Sequence, residues 1–581
     1  MLVFKIPEVG ENINSGTVVK ILVSKGDYVK KDQDLLELET DKASLPVPSP
    51  AAGVIKEILI KEGDVVKIGQ AVMKIEAAEK STPQEQPKEP PPAASPKPEE
   101  KREEAQPQTA KKSAQEIHLA VIGGGPGGYT AAFLAADLGM KVTLIDEEKN
   151  PGGVCLFRGC IPSKALLHVA KILAESRDAK EIGIEFPKPK IRLDKVRGWK
   201  EGVVKQLTGG LGQLSKQRKI NFIQGRANFV NSNAVKVEKT AGGTEEVRFD
   251  KAILATGSFP VRLPFAPESK RIMDSTSALE IEDVPKKLLV VGGGYIGLEL
   301  GTVYHELGSE VSVVEMLPAL LMGADRDLAR ILEKRLMAIF KDIKLNTKLT
   351  KIEETGNKLK VTFEKDGETS QEEYDKLLVA IGRKPNTKNL ALENTKIELT
   401  DRGFVKINPQ RQSTDPSIYA IGDIAGDQML AHKASHEGRV AVEAIAGEKV
   451  AFEPLAIPAV VFTDPEIAWC GITENEAKEQ GLNVRVLKFP WGASGRAITL
   501  NRTDGLTKII VDAENGRVLG VAIAGVGAGE MISEGVIAVE MGSVADDLKL
   551  SIHPHPTLSE TVMESAESFL GQSTHIYRPK K

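Results

Sequence analysis

"IHLAVIGGGPGGYTAAFLAADLGMKVTLID", residues 117–146, decides the fold. A short apolar run leads into a glycine-rich turn. A stretch with helical apolar spacing follows, and a second apolar run ends on an acid. Gly123, Gly125 and Gly128 fill the spacing GxGxxG, and Asp146 stands 18 residues beyond Gly128. The first glycine permits a tight turn, the second lets a pyrophosphate approach the backbone, and the third lets helix and strand pack closely. The helix N-terminus favours the anion, and the terminal carboxylate accepts hydrogen bonds from a ribose. One such fingerprint is a weak signal, because glycine-rich turns are common. This chain repeats it. "KKLLVVGGGYIGLELGTVYHELGSEVSVVE", residues 286–315, carries Gly292, Gly294 and Gly297, with Glu315 again 18 residues on. Two such units predict α/β domains with largely parallel sheets and two dinucleotide sites. Glu315 would repel a 2′-phosphate, which favours NAD over NADP at the second site.

Directly after the first unit comes "GGVCLFRGCIPSK", residues 152–164, with two of the chain's three cysteines. "CIPSKALLHVAKILAES", residues 160–176, has a helical pattern, so Cys160 falls near a helix N-terminus, where the dipole lowers a thiol pKa. Arg158 and Lys164 add positive charge nearby. These features favour a thiolate that exchanges with disulfides. Two other readings are a zinc site, for which only His168 stands near as a third ligand, and a pair of inert buried thiols. Two nucleotide sites beside a thiol pair point to electrons moving among nicotinamide, flavin and disulfide. The position of the cysteines puts the flavin at the first fingerprint.

Toward the N-terminus the chain carries an internal repeat. "GTVVKILVSKGDYVKKDQDLLELET" begins at Gly16 and "GVIKEILIKEGDVVKIGQAVMKIEA" at Gly53, an offset of 37 residues. Each half alternates apolar and polar residues around a Gly-Asp turn, which predicts two sets of short strands facing each other in a small all-β sandwich. Asp41-Lys42 in "ETDKASLPVP" would sit at the hairpin tip between the halves. Residues 79–116 are rich in Pro, Glu, Lys, Gln and Ala without an apolar period, and read as an extended linker.

With 581 residues, 41% hydrophobic and 27% charged, the chain has an ordinary globular composition and room for several domains. A net charge of −4 gives no sign of nucleic acid or anionic membrane as a partner. No apolar run reaches the roughly 18 residues of a membrane span, and the N-terminus lacks the pattern of a secretory signal. Three cysteines make no structural disulfide framework, so a reducing cytoplasm is the expected setting.

The thiol segment is similar to the redox-active segment of the flavoprotein disulfide reductases, and further signatures of that family follow in order. "ATGS" (255–258) and "AIGRKPN" (380–386) resemble the strand ends at the crossings between nucleotide domains. "TDPSIYAIGDIA" (414–425) resembles the second flavin motif, and "MLAHKASHEG" (429–438) the segment that runs on beside the flavin. "HPHPTLSE" (553–560) resembles the family's catalytic segment. The N-terminal repeat resembles a lipoyl (biotinyl-like) domain, whose attachment lysine sits in "ETDKA". The resemblance implies an all-β lipoyl domain at 1–78, a linker at 79–116, an α/β FAD domain at 117–265 and 396–458, an α/β NAD domain at 266–395 and an α+β dimerisation domain at 459–581.

It also implies roles. Cys155 is the thiol that attacks substrate and Cys160 the thiol beside the flavin. Lys164 lies near the flavin, with Glu299 as its acidic partner. FAD is held by Gly123, Gly125, Gly128, Asp146, Lys164, Asp423 and Ala431. NAD is held by Gly292, Gly294, Gly297 and Glu315. Tyr295 either covers the flavin until NAD enters or is simply packed at a helix start. His555 is the base, oriented by Glu560, and comes from the partner subunit of a homodimer; His553 is left structural. Lys42 carries a covalent lipoyl group, and no metal is expected. In place of the asparagine common two residues after the first cysteine stands Phe157, whose effect on the thiols the sequence does not give.

The terminal "GQSTHIYRPKK" lacks the cysteine pair of mercuric reductases, and Glu315-Met316 lacks the arginines of glutathione reductases. With a lipoyl domain fused in front, the implied reaction is oxidation of dihydrolipoyl groups through Cys155–Cys160 and FAD to NAD+. Such groups belong to an acyltransferase or to the chain's own N-terminal domain, within a 2-oxo-acid dehydrogenase or glycine cleavage complex. Two alternatives stay open: an N-terminal module that serves mainly for docking or acyl carriage, and another NAD-dependent disulfide reductase that works through a separate partner. A linker of about 37 residues spans roughly 36 Å r.m.s. as coil, enough for delivery within the chain or across a dimer.

Overall fold

The computed structural model describes residues 2–6, 15–30, 33–39, 44–67, 69–77 and 116–576. They fall into two compact units, Met1–Gln108 and Thr109–Lys581. Lys42 and the linker stretch 79–115 lie outside the described residues.

The N-terminal unit follows from its repeat. Strands Leu2–Lys5, Ala71–Ala77, Gly53–Ile58 and Tyr28–Val29 form one four-stranded sheet. Ser44–Pro48, Asp34–Glu39, Ser15–Ile21 and Val65–Lys67 form the other. Each half closes its turn in the same way. The Asp27 carboxylate accepts from Ser24 N–H at 2.8 Å, and Asp64 accepts from Lys61 N–H at 2.8 Å. Leu35 and Leu36 match Val72 and Met73 across the repeat, and all four are fully buried. Each such side chain contributes about 1.5–3 kcal/mol relative to exposure, and these form the centre of the sandwich.

In the second unit the first fingerprint gives strand β1 (His118–Ile122), helix α1 (Pro126–Asp137) and strand β2 (Lys141–Asp146). These strands pair in parallel inside a seven-stranded sheet. Its order is Thr244–Arg248, Ala234–Lys239, Asn221–Asn231, β2, β1, Lys251–Leu254, Ile418–Ala420. The sequence-distant strand Ile418–Ala420 runs parallel to Lys251–Leu254, which runs parallel to β1. The C-terminal ends of these three strands therefore lie side by side, which brings Gly123, Ala255 and the Gly422-Asp423 turn to one edge. Ligands of open parallel sheets bind at that edge.

Behind β2 the chain forms a short helix α2 (Gly153–Arg158) and a long one, α3 (Cys160–Asp178). The second fingerprint gives β3 (Lys287–Val291), α4 (Tyr295–Leu307) and β4 (Glu310–Val314). They sit in an all-parallel sheet of order Ile272–Met273, Lys376–Val379, β3, β4, Asp342–Lys344. Helix α5 (Ala431–Ala446) packs against α1. The C-terminal region is an antiparallel five-stranded sheet carrying α6 (Ala528–Glu540) and α7 (Glu560–Glu567). Lys508 on this sheet is fully buried, and its Nζ lies 2.5 Å from Asp325 and 2.8 Å from Asp327. The ion pairs fasten the sheet to the region of the second fingerprint.

Candidate functional site

The two glycine-rich turns divide labour among their glycines in the same way. Gly123 and Gly292 have φ of 105° and 108°, a left-handed backbone that side chains rarely adopt. A Cβ on Gly128 would strike the Gly123 carbonyl, and one on Gly297 would strike the Gly292 carbonyl. These glycines serve the protein's own packing. The middle ones do not. A Cβ on Gly125 would meet only Gly153 Cα at 4.0 Å, and one on Gly294 would meet nothing within 4 Å. Their bareness matters only to something outside the chain, so both turns fit a bound dinucleotide. The acids close each turn: Asp146 accepts from Gly124 N–H at 2.5 Å, and Glu315 from Gly293 N–H at 2.7 Å. Burial raises the Asp146 carboxyl to about 6, against the pull of the Gly124 N–H.

The first turn faces a cavity of about 770 Å³. Its walls include Gly123, Gly125, Asp146, Cys155, Cys160, Lys164, Tyr295, Glu299, Asp423 and Ala431. Gly128, Gly292, Gly294, Gly297, Glu315, His555 and Glu560 are not among its lining residues. The thiol segment reaches the cavity because it packs straight onto the phosphate turn. Gly152 N–H donates to Gly124 O at 2.7 Å, and a Cβ on Gly153 would lie 2.5 Å from Gly125 Cα. Glycine is therefore required at position 153, where an added Cβ has no room.

Cys155 and Cys160 are free thiols in the structure. The Cys155 thiol donates to Cys160, which lowers the Cys160 pKa to about 7; burial opposes this, and the Lys164 charge adds to it. Cys155 is held protonated by the same bond and by burial. Cys160 is the first residue of α3, where the helix dipole favours the thiolate further. Lys164, one turn on, lies 2.8 Å from Glu299 Oε2. Glu299 is 3% exposed, and its other oxygen accepts from Phe462 N–H at 3.0 Å. Tyr295 opens α4 and also lines the cavity; burial first, and then the nearby Glu299 charge, push its phenol up to about 12. Phe157 is not among the lining residues. Its ring turns the other way, toward Gly152, where an added Cβ would lie 3.0 Å from it.

His555 and Glu560 stand apart from the cavity and together with each other. His555 Nδ1 lies 2.9 Å from Glu560 Oε1, while Glu560 Oε2 accepts from Thr557 N–H at 2.7 Å. Burial works against it, but the Thr557 N–H and His555 hold the Glu560 carboxyl below its usual range. The His555 side chain is 77% exposed, and Leu550 and Ile552 beside it in sequence are exposed at 74% and 98%.

Residues 117–438 match the family model described as pyridine nucleotide-disulphide oxidoreductase, and residues 457–566 match the dimerisation domain of the same family. The chain belongs to the pyridine nucleotide-disulphide oxidoreductases. Residues 2–75 match a third model, described as biotin-requiring enzyme, which covers biotin and lipoyl domains. Among curated relatives of this oxidoreductase family, the dihydrolipoyl dehydrogenase of Vibrio cholerae is 49% identical over 467 residues, 80% of this chain and 98% of that protein. The dihydrolipoyl dehydrogenase of Geobacillus stearothermophilus is 46% identical over 463 residues, with 80% and 98% covered. The crystal structure of LpdA from Mycobacterium tuberculosis superposes with a TM-score of 0.73 at 29% identity, covering 78% of this chain and 99% of that one. The HOCl-induced flavoprotein disulfide reductase RclA from Escherichia coli gives 0.69 at 28%, covering 77% and 98%.

The structure adds residues to this oxidoreductase site that the motifs did not single out. Ser258 Oγ donates to Asp423 Oδ2 at 2.5 Å, and Arg383 donates to the Ser258 hydroxyl and carbonyl, both at 2.7 Å. The strand Ser258–Pro260 pairs with Arg383–Pro385, which joins the two quoted crossing segments. The fully buried Glu437 accepts from Gly422 N–H at 2.6 Å, Lys433 at 2.7 Å and Arg411 at 2.9 Å. It thereby fixes the turn that carries Asp423. The i,i+4 pair Lys433–Glu437 was readable in "HKASHEG" as one helix face. Its target 15 residues earlier was not.

Proposed function

We infer that this chain oxidises dihydrolipoyl groups to lipoyl and passes the electrons through Cys155–Cys160 and FAD to NAD+. The observation that carries the reading is the contact between Gly153 and Gly125. It places a thiol pair with a poised thiolate in the same cavity as a dinucleotide turn. The fused domain matched at 2–75 supports lipoyl as the substrate class. So do relatives covered over 98% of their length and named for dihydrolipoyl oxidation.

FAD fits the first turn, with Gly123, Gly125, Gly128 and Asp146 at its dinucleotide end and Lys164, Asp423 and Ala431 along the cavity. When bound, it supplies the two-electron link between the thiol pair and nicotinamide. NAD+ is assigned to Gly292, Gly294, Gly297 and Glu315, with Tyr295 between that turn and the cavity.

The chain's own residues handle thiols and protons. His555, with Glu560 fixing its tautomer, takes a proton from the dihydrolipoyl dithiol. The resulting thiolate attacks Cys155 Sγ. One S–S bond forms, and the Cys155–Cys160 bond breaks to leave a Cys160 thiolate. The second substrate sulfur then attacks the mixed disulfide; its bond to Cys155 breaks, the second thiol's proton passes to Cys155, and the lipoyl ring closes. In the dithiol form the hydrogen bond between the two thiols favours the proton on Cys155 and the charge on Cys160, the arrangement these steps leave behind. Because His555 is exposed and does not line the cavity of its own chain, the base is supplied by the second copy of a homodimer. The dimerisation domain at 457–566 agrees with this.

Lys42 is the proposed lipoyl attachment site. The FAD, NAD and interface regions are assigned to 117–265 with 396–458, 266–395 and 459–581. Among the described residues no helix is long and apolar enough to cross a membrane. A reducing cytoplasm suits a chain with only three cysteines, and a 2-oxo-acid dehydrogenase or glycine cleavage complex would supply the substrate. The test is NAD+ reduction by dihydrolipoamide with the full-length, FAD-loaded protein beside a panel of other dithiols. No turnover with dihydrolipoamide, while another dithiol is oxidised, would refute the reading.

A further inference from the structure

His553 has no part in the steps above, yet it is the best-anchored side chain of its segment. Within residues 551–556 every other residue is exposed, while the His553 side chain is only 7% exposed. Its Nδ1 lies 2.8 Å from the Ser551 carbonyl oxygen, and its Nε2 lies 2.7 Å from Glu534 Oε1. Both ring nitrogens are thus engaged by fixed acceptor groups, a carbonyl on one side and a carboxylate on the other.

Both anchors are themselves fixed. Ser551 donates its N–H at 3.0 Å and its hydroxyl at 2.8 Å to Asp547 O, near the end of the helix Ala545–Leu550. Glu534 sits in the middle of α6. At one end of α6 the Gly529 N–H donates to Glu466 at 2.8 Å. At the other, Glu540 accepts from Ala456 N–H at 2.9 Å. Two residues past His553, His555 meets Glu560 on α7. The backbone bearing His555 is thus pinned from two sides, to α6 through His553 and to α7 through Glu560 and Thr557.

We propose that His553, paired with Glu534, is a positioning residue for the base His555: it clamps the exposed segment to α6 and so fixes where the base stands. This rests on the functional reading above.

The experiment compares the wild type, His553→Gln and Glu534→Gln as full-length FAD-loaded proteins. Dihydrolipoamide oxidation is followed with kcat and KM determined separately, and NADH-to-ferricyanide turnover serves as the reaction that needs no base. His553→Gln should lose about 10- to 100-fold in dihydrolipoamide kcat/KM, the scale of a small misplacement. The loss should fall on kcat rather than on KM, with ferricyanide turnover, FAD content and dimer size unchanged. Glu534→Gln keeps an acceptor oxygen for His553 and should lose less. Unchanged kcat/KM in His553→Gln overturns the proposal, as does an equal fall in both reactions or a loss confined to KM. A wild type inactive on dihydrolipoamide but active on ferricyanide overturns the functional reading, and the proposal with it.

Discussion

The two glycine-rich turns use the same parts and end in different surroundings. In both, the outer glycines serve backbone conformation and helix packing, and an acid closes the loop onto a backbone N–H. At the first turn the redox segment lies against the middle glycine, and the strand Ile418–Ala420 brings Asp423 alongside. At the second turn the space around Gly294 is open, and Met316, next to Glu315, is 68% exposed. Under the proposed assignment, one motif serves a cofactor enclosed in the protein and a cosubstrate that must come and go. The neighbours decide which, not the motif.

The comparison breaks most sharply at the thiols that only the first turn touches. Cys155→Ser should leave the bound FAD absorbance in place, abolish dihydrolipoamide oxidation and spare NADH-to-ferricyanide turnover. Turnover of dihydrolipoamide in that variant would remove the nucleophile from the scheme.

The next test substitutes the same glycine in each turn. Gly125→Val should yield protein that purifies without FAD. Gly294→Val should keep FAD and raise the KM for NAD+ by roughly 10- to 100-fold, at about 1.4 kcal/mol per tenfold. If both variants lost FAD, the assignment of the two sites would fail.

A smaller effect is expected at Glu315. Glu315→Ser removes a charge that repels a 2′-phosphate and should narrow the preference for NAD+ over NADP+ by roughly tenfold, read from the ratio of kcat/KM values. Asp146→Ser should leave that ratio unchanged.

The mildest test is a titration. In the reduced wild type the Cys160 thiolate should be half formed near pH 7 and lost as pH falls below it, because the Cys155 hydrogen bond and Lys164 favour the charged form. Long-wavelength absorbance of the reduced, FAD-loaded protein reports it. Lys164→Met removes a favourable charge, so the midpoint should rise. A midpoint that stays fixed would separate Lys164 from the thiolate.

Some of this site was legible because its signals are local. The 37-residue repeat carries its own Gly-Asp turns and its own buried pairs, so the sandwich follows from a short window. The helix at Cys160 follows from the residues that form it. Other parts were not legible. Ser258 and Asp423 are 165 residues apart, and no spacing rule links them. Arg411 reaches Glu437 across 26 residues, and Phe157 gave no hint of which way its ring turns.

The sequence by itself determined the local elements: two strand–turn–helix–strand units, a paired β module, a thiol pair at a helix start and a His–Glu spacing that closes on itself. Each depends on backbone conformation and side-chain period within about thirty residues, which neighbouring residues dictate. The tertiary structure alone decided which turn is enclosed, that Lys164 meets Glu299, and that His553 is held by Glu534 while His555 faces outward. These depend on strand order and helix packing, which bring distant segments together, and a local pattern does not encode which of them will meet.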